Sequence, residues 1–316
     1  MRIEDRLDLL WELYSRESWD RYAILTVREF PGDANGNPTL IIVHNTLRDH
    51  WEMKKSSNLQ GNTIQKPKIC VLDDPNNESE NPEKYTPYGT LLFKINQNPT
   101  LKHHIFAKTP DHREEPRIGD HATIISLVES TGYAAFLNLR RSGAGLPYHL
   151  HFQGQLRKYF PLLKHWDTRG IGEKVYEGKN FQLHRHAYPN YGVVISLDAA
   201  ASKQKADTML CEMHQPIFDN FISYNLLYDK GRIAIFPRRN ETAQNVPTEL
   251  EAAGMKKWQI AGQEMGHLFT AKYKTIADSM TREALIGALQ EVTLVAREEQ
   301  MMFEDLVTGY TRRHDR

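Results

Sequence analysis

A strand that carries imidazole and amide groups on alternate residues constrains a fold sharply, because one of its faces must be buried and the other must stay polar. The stretch from 133 to 155, YAAFLNLRRSGAGLPYHLHFQGQ, contains such a pattern in His149-Leu150-His151-Phe152-Gln153. Side chains alternate along extended backbone, so Leu150 and Phe152 enter a core while His149, His151 and Gln153 share the other face. A neutral imidazole can attack a phosphoryl group, and a neighbouring amide can donate a hydrogen bond to its oxygens. Upstream, Ser142-Gly143-Ala144-Gly145 is a small-residue loop whose backbone N–H groups can approach an anion closely. Together these pieces imply transfer of a nucleotide phosphate.

Charge narrows the partners. Lys+Arg and Asp+Glu are both 40, so no basic excess argues for nucleic acid or a membrane surface. Two cysteines, Cys70 and Cys211, are too few for a disulfide framework and fit a reducing compartment. The opening MRIEDRLDLLWELYSRESWD scatters charges through its apolar pattern and lacks a signal-peptide core. No window holds the ~18 consecutive apolar residues of a membrane span. The expected location is the cytoplasm.

Periodicity orders the chain as an α+β protein. Ile3, Leu7, Leu10, Trp11 and Tyr14 predict an amphipathic helix over 3–16, followed by strands over 22–30 and 39–44. A polar connection spans 48–68 and an acidic surface loop 73–87. Strands follow at 90–96 and 104–108, then a helix at 120–130 and the strand that begins at Tyr133. Further on, 157–169 mixes Leu, Phe and Trp with basic residues, 188–197 reads as a strand, and a polar helix or linker follows 199. Two apolar runs around Asp229-Lys230-Gly231 predict a hairpin over 223–237. A strand at 266–271 and one long helix over 281–307 complete the chain. The second half thus repeats the hairpin, Gly-His strand and helix of the first, which predicts two related halves with antiparallel sheets and packed helices, 1–165 and 166–316.

Several segments agree, in order, with a known group of proteins. They are Asn98-Pro99, HHIFAKTPDHR, FLNLRRSGAGLPYH, His149-x-His151-x-Gln153, YNLLYDKGRIAIFPRRNETAQ and AGQEMGHLFTA. Over residues 70–295 the chain resembles the nucleotidyltransferase and phosphorylase branch of the histidine-triad superfamily. HLHFQ is closest in wording to GDP-hexose phosphorylases, whereas Pro237-Arg238-Arg239 is closer to dinucleoside phosphorylases.

The resemblance implies two histidine-triad-like halves and a two-step transfer. His151 would attack the phosphoryl group attached to the nucleoside, and inorganic phosphate would then take the nucleotide from a GDP-hexose-like donor, or from diadenosine tetraphosphate. A backbone carbonyl, placed at Asn138, would fix the His151 tautomer. Gln153 would hold a non-bridging oxygen, and His149 would orient the loop or protonate the leaving oxygen. Arg140, Arg141, Ser142 and Gly143 would meet the leaving phosphate. No cofactor is implied.

Uridylyltransferases of this branch often carry a metal-binding C-x-x-C, but Cys70-Val71-Leu72-Asp73 has one cysteine, so no metal is expected there. His184-Arg185-His186 has ligand spacing without an acidic or cysteine neighbour and reads as a strand pair. His104 and His267 read as fold residues in comparable strands. Two competing readings stand beside the transferase. One is a cupin-like metal protein using Gly143-x5-His149-x-His151, and the other is a non-catalytic nucleotide sensor.

Overall fold

The structure, a computed structural model, describes residues 2–15, 25–33, 38–46, 70, 72, 85–97, 99–143, 148–198, 202–243, 259–271 and 273–316. The connection at 48–68, most of the acidic loop, Asn98 and Ala144-Gly145 lie outside the described residues. Among the described residues no helix is long and apolar enough to cross a membrane.

The α+β class is realised as a ten-stranded antiparallel sheet with helices on one side and a smaller sheet on the other. Its strands are β3 (Thr86–Tyr88), β4 (Leu91–Ile95), β5 (Ile105–Lys108), β6 (Tyr133–Asn138), β7 (His151–Leu156), β8 (Glu173–Glu177), β9 (Phe181–His186), β10 (Gly192–Leu197), β11 (Ser223–Asp229) and β12 (Arg232–Arg238). They lie side by side as β3-β4-β5-β7-β6-β11-β12-β10-β9-β8. Read inward from either end, the order is the same, and the two runs meet where β6 pairs with β11. Each run has one helix at the same point of its path: α2 (Asp120–Ser130) between β5 and β6, and α4 (Ser202–Asn220) between β10 and β11.

The repeated unit differs from the expected one. β13 (Leu268–Ala271), which starts only after the Gly266-His267 turn expected to open it, lies outside the large sheet and runs parallel to β2 (Leu40–Asn45), which pairs with β1 (Leu25–Phe30). The long helix also divides, into α7 (Arg282–Val292) and α8 (Arg297–His314). Thr293 is extended there and bridges to Arg238, while Arg239 N donates to Val292 O at 2.9 Å. The end of β12 therefore captures the backbone that would continue the helix. β8 has no counterpart among the expected strands, since Lys and Glu dominate this exposed edge strand, whereas β9 contains the His184-Arg185-His186 strand pair. Thr86-Pro87, assigned to the acidic loop, instead belong to β3.

Two cores follow from strand alternation. Phe93, Ile105, Phe152, Leu137, Leu226 and Ile235 face one side and pack on α1 (Ile3–Tyr14), α2, α4 and α8 through Leu7, Leu127, Met213 and Phe303. Phe136, Leu227, Ala234 and Phe236 face the other, against Ile42, Leu268 and Leu289 of the small sheet and α7. Each fully buried side chain of this size contributes about 1.5–3 kcal/mol. The open sheet rules out the jelly roll that a cupin-like reading needs.

One contact ties the two helices of the large sheet together. Asp207 of α4 is buried and accepts from Gly119 N at 2.6 Å and Ala122 N at 3.1 Å, capping the first turn of α2. Gly119 has a φ of 102°, which lets its N–H turn toward that carboxylate. Asp207→Ala is expected to lower unfolding free energy by about 2 kcal/mol, and Asp207→Asn by less. A urea titration with unchanged m and a lower midpoint would show it; an unchanged midpoint would reject the cap.

Candidate active site

The antiparallel register builds one polar surface from five strands. Lys94 lies opposite Phe106, Phe106 opposite Gln153, and Gln153 opposite Phe136. In the next row Lys108 faces His151, and Asn138 faces Asn225. Leu137 pairs with Phe152, so Asn138 and His151, one residue further along each strand, meet at the strand ends. His151, Gln153 and Asn138 therefore share one face.

His151 is buried, and its ring stacks on Phe106 with centroids 5.1 Å apart. Its Nδ1 lies 2.8 Å from the His149 carbonyl. A carbonyl only accepts, so Nδ1 carries the hydrogen and Nε2 keeps its lone pair. The tautomer-fixing carbonyl is thus that of His149, and the expected one at Asn138 is corrected. Burial pushes the His151 pKa down to about 4, which leaves the ring neutral at physiological pH.

Both neighbouring amides are locked by their oxygens. Gln153 Oε1 accepts from His104 Nε2 at 2.9 Å and from Asn96 Nδ2 at 3.3 Å. His104 can donate there because its Nδ1 accepts from Thr100 N at 3.1 Å. Asn138 Oδ1 accepts from Asn225 Nδ2 at 3.0 Å and from Gly262 N at 2.6 Å. Gly262 opens the short helix α5 (Gly262–Met265), and a Cβ there would lie 2.8 Å from Asn138 Oδ1, so glycine is required for the approach. With both oxygens occupied, the NH2 ends of Gln153 and Asn138 are the groups left to meet a ligand.

Sequence reasoning missed four members of this face. His104, read as a fold residue, orients Gln153; it is not comparable to His267, which bonds Asn190 Oδ1 at 2.9 Å beside the small sheet. Lys94 and Lys108 are buried, with ammonium groups 4.8 and 4.9 Å from the centroid of one ring, Tyr85. Lys108 also donates to Leu72 O. Asn225 comes from β11, on the far side of the β6·β11 junction. Strand alternation was the available signal: a lysine in phase with the motif faces the same side.

The arginines go elsewhere. Arg140 and Arg141 are exposed and line a cavity of about 310 Å³ with Glu114, Glu115, His214 and Phe218. Ser142 Oγ is closed on its own turn, donating to Leu139 O at 2.8 Å and accepting from Leu139 N at 2.7 Å. Gly143, at φ 84°, packs where a Cβ would lie 2.5 Å from Ile260 O. Ser142 and Gly143 thereby fasten the loop beside Asn138.

His149 parts from His151. It precedes β7, and its ring meets Cys70 and His112, with ligand atoms of all three residues within 4.8 Å of one another. Nε2 of His149 lies 3.1 Å from Thr109 O and donates to it, so Nδ1, 3.7 Å from Cys70 Sγ, keeps its lone pair. Arg113, next to His112, grips the buried Asp120 with Nη2 3.0 Å from Oδ1, holding the loop in place. Sulfur and imidazole donors at such separations fit a zinc-type ion. The expectation of no metal is therefore replaced by a candidate ligand set; Asp73 lies outside the described residues. Among the described residues no group of three or more donors includes His184 or His186. His186 packs against Trp166 with centroids 5.6 Å apart.

No family model and no curated protein matches the chain. Among solved structures it is similar to yeast Ap4A phosphorylase Apa2, with 12% identity and a TM-score of 0.62 over 92% of this chain and 94% of that one. The same yeast protein in complex with AMP is 14% identical, with a TM-score of 0.61 over 94% and 100%. Its complex with Ap4A is 13% identical, with a TM-score of 0.56 over 91% and 97%. The likeness establishes a shared fold.

Metal analysis tests the cluster. The purified chain is expected to carry about one zinc equivalent, and its cobalt form a thiolate charge-transfer band that Cys70→Ser removes. A chain that stays metal-free in zinc, or a Cys70→Ser variant that keeps the band, would reject this ligand set.

Proposed function

We propose that the protein is a nucleotidyltransferase that works as a phosphorylase through a covalent nucleotidyl-His151. The observation that carries this reading is the neutral His151 with Nδ1–H committed to a carbonyl, set beside two amides whose NH2 ends are presented. In the first step Nε2 attacks the phosphorus bonded to the nucleoside. The N–P bond forms as the P–O bond to the leaving phosphate breaks, and the electron pair departs with that oxygen. In the second step an oxygen of inorganic phosphate attacks the same phosphorus, the N–P bond breaks, and a nucleoside diphosphate is released.

Gln153 and Asn138 hold the non-bridging oxygens, where charge is redistributed during both displacements. Lys94 and Lys108 add positive charge on the same face. A metal at Cys70, His112 and His149 would fix the segment whose carbonyl orients His151.

Two donors share this chemistry. The wording of HLHFQ favours a GDP-hexose, and the fold shared with a protein solved with AMP and with Ap4A favours a dinucleoside tetraphosphate. The repeated strand order supports two related halves, of which the first carries the nucleophile; the boundary expected between 165 and 166 falls inside the helix Pro161–Arg169.

Intact-protein mass after brief incubation without phosphate decides both questions. A GMP increment from GDP-hexoses, or an AMP increment from diadenosine tetraphosphate, is expected on wild type and absent from folded His151→Ala. Gln153→Ala should slow adduct formation ~10²-fold. Binding without any adduct would favour the sensor reading.

The pH dependence has a definite sign. His151 is neutral in the fold and protonates only near pH 4, against 6.5 for an ordinary histidine. Its contribution to stability is present above 6.5 and is lost as pH falls from there toward about 4. Adduct formation by the folded protein should show no inflection from His151 at 6.5 and should fall only as pH approaches 4. A His151 titration near 6.5, followed by NMR, would overturn the assignment.

A further inference from the structure

Arg238 closes β12 and is fully buried, although a guanidinium taken out of water is costly unless its donors are met. Its Nε reaches Asn240 O at 3.1 Å and its Nη2 reaches Glu241 O at 2.7 Å. Those two backbone carbonyls hold the head in place. The remaining contact points toward the site: Nη1 lies 3.3 Å from Asn225 Oδ1. Glu264 adds negative charge nearby, and its Oε2 accepts from Ala261 N at 3.0 Å, at the start of the helix that brings Gly262 to Asn138.

Asn225 passes this orientation on. Its Nδ2 donates to Asn138 Oδ1 at 3.0 Å and to Ser142 O at 2.8 Å. An amide is nearly symmetric in shape, so its partners alone decide which end is oxygen. With a donor on one side and two acceptors on the other, only one orientation of Asn225 satisfies all three contacts. That orientation makes Asn225 a donor to Asn138, which in turn leaves the Asn138 NH2 for a ligand. Both Arg238 and Asn225 belong to the β11–β12 hairpin, outside the histidine motif.

We infer that Arg238 is a positioning residue for the His151 site, acting through Asn225 to hold Asn138 with its NH2 group toward the phosphoryl oxygens. The inference rests on the transferase reading above and assigns a task within it to the second half of the chain. A purely structural Arg238 would only fasten the turn at 238–241.

A double-mutant cycle on the full chain separates the two roles. Asn138→Ala should slow adduct formation ~10²-fold, as for loss of one transition-state donor. Arg238→Met should slow it ~10-fold or more with little change in nucleotide KM, and should slow it no further in the Asn138→Ala background. Additive effects would overturn the inference. Where circular dichroism shows Arg238→Met unfolded, Arg238→Lys takes its place in the same cycle, with the same two outcomes. A second readout needs no turnover: the side-chain amide NMR signals of Asn138 should move in Arg238→Met, or in Arg238→Lys where that variant replaces it, and unmoved signals would overturn the proposal. Wild type that forms no adduct with any donor would reject the transferase reading, while those amide signals still decide the task of Arg238.

Discussion

The hydrogen bond from His151 Nδ1 to the carbonyl two residues before it, at 2.8 Å, is the constraint on which the site depends. It can form only if the backbone at 149 turns its carbonyl inward, and the regular strand accordingly begins at His151. The same turn sends the His149 ring to Thr109, Cys70 and His112. One departure from extended geometry thus gives two histidines of one motif different tasks. Burial then keeps the His151 ring neutral without a carboxylate partner, because a charged imidazole there would lose its hydration.

Register makes a site out of a single strand motif. Neighbouring antiparallel strands put Phe106, Lys108, Phe136 and Asn138 in phase with His151 and Gln153, and a slip of one residue would send each to the apolar core behind the sheet. That core, with Phe152 and Leu137 facing α2, is what fixes the register. Packing on one face therefore specifies chemistry on the other. The amides show the same economy: each oxygen is held by two donors, which settles the direction of the NH2 group before any ligand arrives.

How much of this was legible follows from the range of the signals. The alternation of HLHFQ placed His151 and Gln153 on one face, and apolar runs around Asp229-Lys230-Gly231 marked the β11–β12 hairpin, because both are patterns within a few residues. His104 was set aside as structural because its role depends on a partner 49 positions away. Asn225 reaches Asn138 across 87 positions, and Cys70 reaches His149 across 79, so neither contact has a local trace. The break at Thr293 was invisible for the same reason, since it answers to β12 and not to helix propensity. Arg140 and Arg141 were misleading because a loop beside a motif carries no information about the side of the sheet to which it turns.

The two runs of the sheet are alike in order and unlike in chemistry. β12 occupies in its run the place that β7 holds in the other, yet it presents Ala234 and Phe236 where β7 presents His151 and Gln153. Those apolar residues receive the small sheet and α7, so a polar pair there would be buried beneath a covering layer. In the far run that surface is taken up by packing. What it can still offer lies at the margin of the covered area, where β11 adjoins β6, and that is where Asn225 and Arg238 reach the first run. Covering one half of the sheet thus confines its contribution to orienting the groups of the other half, and it makes the junction between β6 and β11 part of the site.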